Sequence, residues 1–140
     1  MILLDTNIVS ELMRPEPQTK VIEWLNAQEP LDIYISVITI AEIKYGLLVL
    51  PEGQKRRLLQ QKFDWFIAQG FAERVLDFTT EAAHHYADIM AYRRSVGVPM
   101  SVPDGQIAAI ARFNRFTLAT RNSKDFENCG LMLVNPFFAI

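Results

Sequence analysis

The sequence has 140 residues, enough for one domain that buries roughly two thirds of the surface its unfolded chain exposes. Half of the residues are hydrophobic and 11% are aromatic, which excludes an intrinsically disordered chain. The formal net charge of -2 argues against binding of nucleic acid through phosphate neutralisation over the whole surface of the protein. Any contact with nucleic acid must therefore be local. We therefore predict a single globular domain over residues 1–140.

The cysteine content and the lengths of the apolar runs indicate the cellular compartment in which the protein is expected. The single cysteine, Cys129, excludes an intrachain disulfide and a zinc site of paired cysteines, and it suits a reducing cytosol. The first residues lack the basic start and long apolar core of a signal peptide. The longest apolar stretch, Ile33 to Ala41, is shorter than the roughly 18 residues that span a bilayer. We predict a cytoplasmic protein with no membrane role.

Apolar runs and turn residues predict alternating strands and helices in the first half of the chain. Met1 to Leu4 is an uninterrupted apolar run, typical of a strand buried on both faces, and it delivers Asp5 at its carboxyl end. One helix ends before Pro15, and a second helix follows it. Ile33 to Ser36 predicts the next strand, and helical spacing of apolar residues begins at Thr39.

The alternation continues in the second half. A basic amphipathic helix is predicted from Gln54 to Gln69, and Val75 to Phe78 predicts a third strand. Thr80 is predicted to cap the next helix, and Asp104 is predicted to open the one after it. The last two strands are predicted at residues 117–119 and 131–134.

This alternation in one short chain predicts an α/β fold, a three-layer α/β/α sandwich around a mostly parallel central sheet. Ligands of such sheets bind in the crevice outside the carboxyl ends of the strands. Asp5 follows the first predicted strand, and Thr120 to Asn122 follow the fourth. We therefore expect these residues to line the crevice.

The acidic residues near these strand ends have a purely structural explanation. Helix starts favour Asp and Glu, which accept hydrogen bonds from free backbone N–H groups and interact with the helix dipole. The segments that fit a capping role are Asp5 alone, Thr39 with Glu42, Ser101 with Asp104, and Asn122 with Asp125. Each acid taken singly could be a cap and nothing more.

The convergence of several acids on one crevice favours chemistry instead. Unpaired carboxylates repel each other unless a cation lies among them. A Lys or Arg could supply that charge, but clusters of oxygen ligands suit Mg²⁺ or Mn²⁺. Such ions support phosphodiester hydrolysis by lowering the pKa of a water and stabilising the attacking and leaving oxygens. The sequence leaves open whether one ion or two would bind.

Four segments carry a family resemblance: Met1 to Asn7 with Ser10-Glu11, Ile35 to Ile43 with Gly46, Asp104 to Ala109, and Ala119 to Asn122 with Asp125-Phe126. Together they resemble the PIN-domain toxins of the VapC and FitB type. The resemblance covers essentially the whole chain, and it depends on the combination because Asp-Thr-Asn alone is a weak motif.

The resemblance implies roles for individual residues. The metal-binding and catalytic acids would be Asp5, Glu42 and Asp104. The polar residues that orient the site would be Thr6, Asn7 and Thr120. FitB-like relatives have an aspartate where this chain has Asn122, which offers a neutral oxygen without charge. Asp125 could take that place, either directly or through a water.

The resemblance also implies an activity and partners. The family's activity is that of an endoribonuclease dependent on Mg²⁺ or Mn²⁺, which cleaves structured RNA, commonly tRNA or ribosomal RNA. The protein would be a toxin held inactive by a co-encoded antitoxin, would reach operator DNA only through that antitoxin, and would form a homodimer. Family antitoxins often insert an arginine into the acidic pocket, where a guanidinium pairs well with carboxylates.

Two other functions remain open at the level of sequence. A phosphatase with Asp5 as covalent nucleophile is weakened because Asn7 leaves no second aspartate two residues on as general acid. A binding module whose acids are caps, or whose site has decayed, is favoured by the capping patterns and by Asn122. For an RNA substrate, the candidate phosphate contacts near the crevice are Arg14, Lys44, Arg121 and Lys124.

Overall fold

The computed structural model describes residues 1–138, in which strands and helices alternate as predicted. The strands are β1 (Ile2–Leu4), β2 (Ile33–Ser36), β3 (Val75–Leu76), β4 (Thr117–Ala119) and β5 (Leu133–Val134). The α-helices are α1 (Thr6–Leu12), α2 (Thr19–Asn26), α3 (Val37–Leu48), α4 (Gln54–Gly70), α5 (Thr80–Ser95) and α6 (Val102–Asn114). Short 3-10 helices occupy Pro30–Asp32 and Ser123–Phe126. No helix of this described part is both long and apolar enough to cross a bilayer.

The strands form one five-stranded sheet in the order β3-β2-β1-β4-β5, and every pair in it is parallel. β1 lies in the centre, where Ile2 pairs with Ile33 of β2 on one side and with Thr117 of β4 on the other. Because all strands run the same way, their carboxyl ends share one edge of the sheet. Asp5, the start of α3 and Thr120 follow these ends directly.

Hydrophobic cores lie on both faces of the sheet. Successive side chains of a strand point to opposite faces, and accordingly Leu3 and Leu4 belong to different buried clusters. The cluster around Leu3 packs against α5 and α6, where Ile107 is fully buried. The cluster around Leu4 packs against α1, α2 and α4, where Phe63 is fully buried. This arrangement confirms the predicted three-layer sandwich with a parallel sheet.

The predicted start of α3 is wrong. The N-cap is Ser36, whose Oγ accepts a hydrogen bond from the backbone N–H of Thr39 at 3.3 Å. Thr39 therefore lies inside the first turn, and it forms no capping box with Glu42. The reason is that the chain passes from β2 into α3 without a loop, so the last strand residue supplies the cap.

Two further helix starts also differ from prediction. The hydroxyl that caps α5 belongs to Thr79 rather than Thr80, and it accepts from the N–H of Ala82 at 3.1 Å. α6 begins before Asp104, at Val102, because Ser101 caps the helix and a proline fits its first turn.

Candidate active site

An open cavity of about 580 Å³ lies where the carboxyl ends of β1 and β4 meet the starts of α1, α3 and α6. Asp5, Glu42 and Asp104 all line it, and we name it the acidic cavity. Thus the fold brings together three acids that are far apart in the sequence. Thr6, Asn7 and Asn122 line the same cavity.

Asp5 is the most enclosed of the three acids, with 4% of its surface exposed. Its Oδ1 accepts from the backbone N–H of Thr6 at 2.8 Å, and its Oδ2 accepts from Thr120 Oγ1 at 2.8 Å. Burial raises the pKa of Asp5 to about 6 despite these hydrogen bonds, and the charges of Asp104 and Glu42 add to the rise. Asp5 is therefore an N-cap, but capping alone does not account for a carboxylate in so unfavourable a place.

Glu42 has no capping role. It lies in the second turn of α3, and its Oε1 accepts a hydrogen bond of 2.6 Å from Thr6 Oγ1. Thr6 Oγ1 lies 3.0 Å from the hydroxyl of Thr39, which is fully buried. Two threonines thus fix the Glu42 carboxylate beside the residue that follows Asp5.

Asp104 lies in the first turn of α6, and its backbone N–H donates to Ser101 Oγ at 3.3 Å. This capping bond uses the backbone of Asp104, and the Asp104 carboxyl also interacts with the side chain of Ser101, so residue 104 takes part in capping α6. Burial raises the pKa of the Asp104 carboxyl, and the charges of Asp125 and Glu42 raise it further. Like charges therefore disfavour ionisation of both Asp5 and Asp104.

Asn122 and Asp125 lie in one turn, where the backbone N–H of Asp125 donates to the carbonyl of Asn122 at 2.9 Å, but they do not line the same set of cavities. Asn122 lines the acidic cavity, whereas Asp125 lines an adjoining cavity of about 440 Å³, which we name the flanking cavity. Asn122 lies in both linings. Asp125 is nevertheless close enough for its charge to raise the pKa of Asp104. Asn122 is therefore the better placed of the two to reach the acidic cavity directly.

Thr120 and Asn7 connect the elements that carry the acids. Thr120 is fully buried, and its hydroxyl accepts from the backbone N–H of Asn122 at 3.1 Å while it donates to Asp5. Asn7 Oδ1 accepts from the backbone N–H of Arg121 at 3.2 Å, and Asn7 Nδ2 lies 3.5 Å from Thr120 Oγ1. These bonds tie the start of α1 to the chain that follows β4.

The chemistry of the cavity suits a hard divalent cation. Asp5, Glu42 and Asp104 offer only oxygen atoms, which Mg²⁺ and Mn²⁺ prefer, and a cation would relieve their mutual repulsion. Within residues 1–138, however, no three His, Cys, Asp or Glu side chains are grouped closely enough to hold an ion by themselves. Mg²⁺ usually keeps several waters and binds through one or two carboxylates. The residues therefore fit an ion held partly through water.

Glu11 is a buried acid to which the sequence analysis assigned no role. Only 4% of its surface is exposed, and it lines the acidic cavity. Burial acts to raise its pKa, but hydrogen bonds from the Gln18 N–H at 2.9 Å and from Arg14 Nη1 at 3.2 Å bring the pKa below its usual value. Its spacing of three residues from Ile8, on the buried face of α1, is the sequence signal that predicts burial.

Arg93 is a second residue that sequence analysis missed. It is buried in α5, and its Nη1 donates to the backbone carbonyls of Asp125 at 2.9 Å and Glu127 at 2.8 Å. Its Nε donates to the carbonyl of Val98 at 2.7 Å. Arg93 thus holds the segment that carries Asp125. No sequence pattern predicts this role, because the acceptors are backbone atoms distant in the chain.

The predicted phosphate contacts are divided among three places. Arg14 and Arg121 line the acidic cavity. Lys44 lies outside its lining and forms an ion pair with Asp64 of α4. Lys124 lines the flanking cavity, together with Arg121.

The chain belongs to the PIN-domain family, whose sequence profile matches residues 2–130. It is 40% identical to VapC ribonuclease Y4jK of Sinorhizobium fredii over 137 residues, which are 98% of each chain. It is 38% identical to toxin FitB of Neisseria gonorrhoeae over 137 residues, 98% of this chain and 99% of FitB. The structure of FitAB bound to an IR36 DNA fragment matches with a TM-score of 0.92 at 37% identity, covering 100% of this chain and 98% of that one. These similarities confirm the family predicted from the sequence motifs.

Proposed function

We propose that this chain is the toxin of a type II toxin–antitoxin pair and an endoribonuclease that hydrolyses RNA phosphodiester bonds with Mg²⁺ or Mn²⁺. One observation carries the proposal: Asp5, Glu42 and Asp104 reach one cavity from separate elements, where burial and like charges raise the pKa of Asp5 to about 6. The names of the relatives, a VapC ribonuclease and toxin FitB, support the same class of activity.

In this proposal the three acids hold the divalent ion or ions, and Asn122 or Asp125 supplies a further oxygen. Bound ions of this kind lower the pKa of a water and stabilise charge on the attacking and leaving oxygens. The protein's contribution is to hold the carboxylates in place before the substrate arrives. Thr120 does this for Asp5, and Thr6 does it for Glu42, through the hydrogen bonds described above.

We further propose a cognate antitoxin as inhibitor, contact with operator DNA only through that antitoxin, a homodimer, and a cytoplasmic location. The FitAB complex on DNA supports the first two points. Large apolar side chains on α3 and α4 support protein partners, since Tyr45 is 70% exposed and Trp65 is 67% exposed.

The test is cleavage of total tRNA and ribosomal RNA by the purified, partner-free protein with Mn²⁺, with EDTA, and with the Asp104→Asn variant. We expect EDTA to abolish cleavage and Asp104→Asn to reduce it by at least about 100-fold, because losing even a partner of a metal ligand costs about 10- to 100-fold. Asp88→Asn, at an exposed position of α5 outside the acidic cavity, is the matched control and should cleave normally. Full, EDTA-resistant cleavage by Asp104→Asn would contradict the proposal.

A binding module with a decayed site is the second candidate. Two observations favour this module. Within the described residues, the acids are not grouped closely enough to hold an ion by themselves, and residue 122 is a neutral Asn. Titration calorimetry with Mn²⁺ separates the two functions, because a decayed site releases no heat of binding. The module is also favoured if Asp5→Asn merely lowers the free energy of unfolding by about 1 kcal/mol, as loss of an N-cap does.

A further inference from the structure

The flanking cavity lies next to the acidic cavity and shares Arg121 and Asn122 with it. Its volume of about 440 Å³ falls within the range of about 300–1,000 Å³ that ligand pockets occupy. Its charged lining consists of Arg121, Lys124 and the carboxylate of Asp125, which leaves a net positive charge. An anion would therefore be favoured here, although the adjoining acidic cavity is lined by four acids.

Arg121 is fixed at the junction of the two cavities. Its guanidinium lies 4.4 Å from the ring centroid of the buried Phe137, and its backbone is held by hydrogen bonds from its N–H to Asn7 and from Asn135 Nδ2 to its carbonyl. Within the described residues it makes no ion pair shorter than 4.0 Å, whereas Arg14 pairs with Glu11. A guanidinium held in this way is well suited to a phosphate.

Phe138 contributes an aromatic surface to the flanking cavity. It is 76% exposed, although Phe137 beside it is buried in the core. An exposed ring flanked by cations is the arrangement on which proteins stack the unpaired bases of single-stranded RNA. Burying this ring against a base would also remove exposed apolar surface.

We propose that the flanking cavity binds a single-stranded nucleotide of the RNA substrate, next to the bond that is cut. Arg121 contacts the phosphate between the two cavities, Lys124 contacts the following phosphate, and the base stacks on Phe138. The inference rests on the proposed function, because the acidic cavity is taken as the place of cleavage. It restricts cleavage to loops and other unpaired segments, since a paired base inside a helix cannot reach Phe138.

The test measures binding separately from cleavage, in the Asp104→Asn background. The probe is a short single-stranded oligoribonucleotide that contains 2-aminopurine, whose fluorescence falls when the base stacks. Phe138→Ala should weaken binding about tenfold and remove the quenching, as expected for loss of one stacked base. Phe138→Tyr should keep both, and Tyr92→Ala, an exposed aromatic of α5 outside both cavities, is the matched control.

A second variant tests the phosphate contact. Arg121→Gln should weaken binding and reduce the slope of log binding constant against log salt concentration by about 0.7, the value for one phosphate contact on a single strand. Arg57→Gln, at an exposed position of α4, should leave the slope unchanged. Thermal unfolding of each variant checks that the fold is intact.

The outcomes distinguish this inference from the proposed function. Unchanged affinity and quenching in Phe138→Ala and Arg121→Gln would overturn the inference even if the wild-type protein cleaves RNA. Weakened binding in both variants would support it even if cleavage were absent, which would overturn only the proposed catalysis. If the variants bind RNA normally but lose affinity for the cognate antitoxin, the flanking cavity is a protein interface and the inference is wrong.

Discussion

At the scale of single residues, opposing effects act on the Asp5 carboxylate. Hydrogen bonds from Thr6 and Thr120 favour its ionised form, but burial and the charges of Asp104 and Glu42 outweigh them and raise the pKa from 3.8 to about 6. A carboxyl with a raised pKa contributes stability that is fully present below its unfolded pKa and lost as the pH rises through its folded pKa. Ionised Asp5 therefore destabilises the metal-free fold above about pH 6.

This sign gives a prediction for Asp5→Asn. Removing the charge should raise the free energy of unfolding at about pH 7.5 by roughly 1–3 kcal/mol, and the gain should shrink as the pH falls toward about 4. Urea denaturation without metal at both pH values measures it, with Asp88→Asn as the exposed control. A loss of stability at both pH values would show that the cap outweighs the buried charge.

The three acids are predicted through the resemblance of their short motifs to the PIN-domain toxins, and only Asp5 also through its position directly after a strand. The capping explanation competes with this prediction, and for Glu42 only the structure rejects it, by assigning the cap to Ser36. The role of Arg93 is not predictable because its acceptors are backbone carbonyls. Every residue has such a carbonyl, so the types of the partner residues do not indicate the contact. Burial of Glu11 and its pairing with Arg14 three residues on follow from helical spacing, but its hydrogen bond from the Gln18 N–H does not.

At the scale of elements, α5 and α6 pack closely at Gly105. A Cβ atom there would lie 3.0 Å from Tyr86 Cε2 and would also meet Met90 Sδ. Gly105→Ala should therefore lower the free energy of unfolding by roughly 1–3 kcal/mol through overpacking, although alanine is the better helix former. Gly46→Ala is the matched control within a helix, since nothing lies within 4 Å of its new Cβ, and it should stabilise by up to about 1 kcal/mol.

Thermal unfolding of the two variants compares them directly. A gain for Gly105→Ala equal to that of Gly46→Ala would show that Met90 and Tyr86 move aside without cost.

The types of the elements follow from periodicity, whereas their ends depend on neighbours. β3 and β5 are shorter than predicted because they lie at the edges of the sheet, where a strand pairs on one side only. Residues 77–78 and 131–132 include apolar side chains, but among the described residues 1–138 no further strand lies outside β3 or β5 to pair with them. Such ends are set by tertiary pairing rather than by local pattern.

At the scale of the whole molecule, alternation of elements predicts the parallel α/β/α sandwich but not the order of its strands. An apolar run such as Met1 to Leu4 indicates a strand buried on both faces, but it does not determine which strands pair with it. The order β3-β2-β1-β4-β5 makes β1 central and brings residues 5 and 120 together. The sequence locates the crevice only through the general rule for carboxyl strand ends.

Binding of a divalent ion should stabilise the whole fold. Without metal, burial and like charges disfavour the ionised forms of Asp5 and Asp104, and a bound cation would offset this cost. Mn²⁺ at about 100 times its dissociation constant should add roughly 2.7 kcal/mol to the free energy of unfolding. The gain should be larger above about pH 6 than below it, since Asp5 must lose its proton to bind a cation. Thermal unfolding with and without Mn²⁺ should show the shift for wild type and Asp88→Asn but not for Asp104→Asn. An equal shift in Asp104→Asn would mean that the ion binds elsewhere and that the acidic cavity is not the metal site.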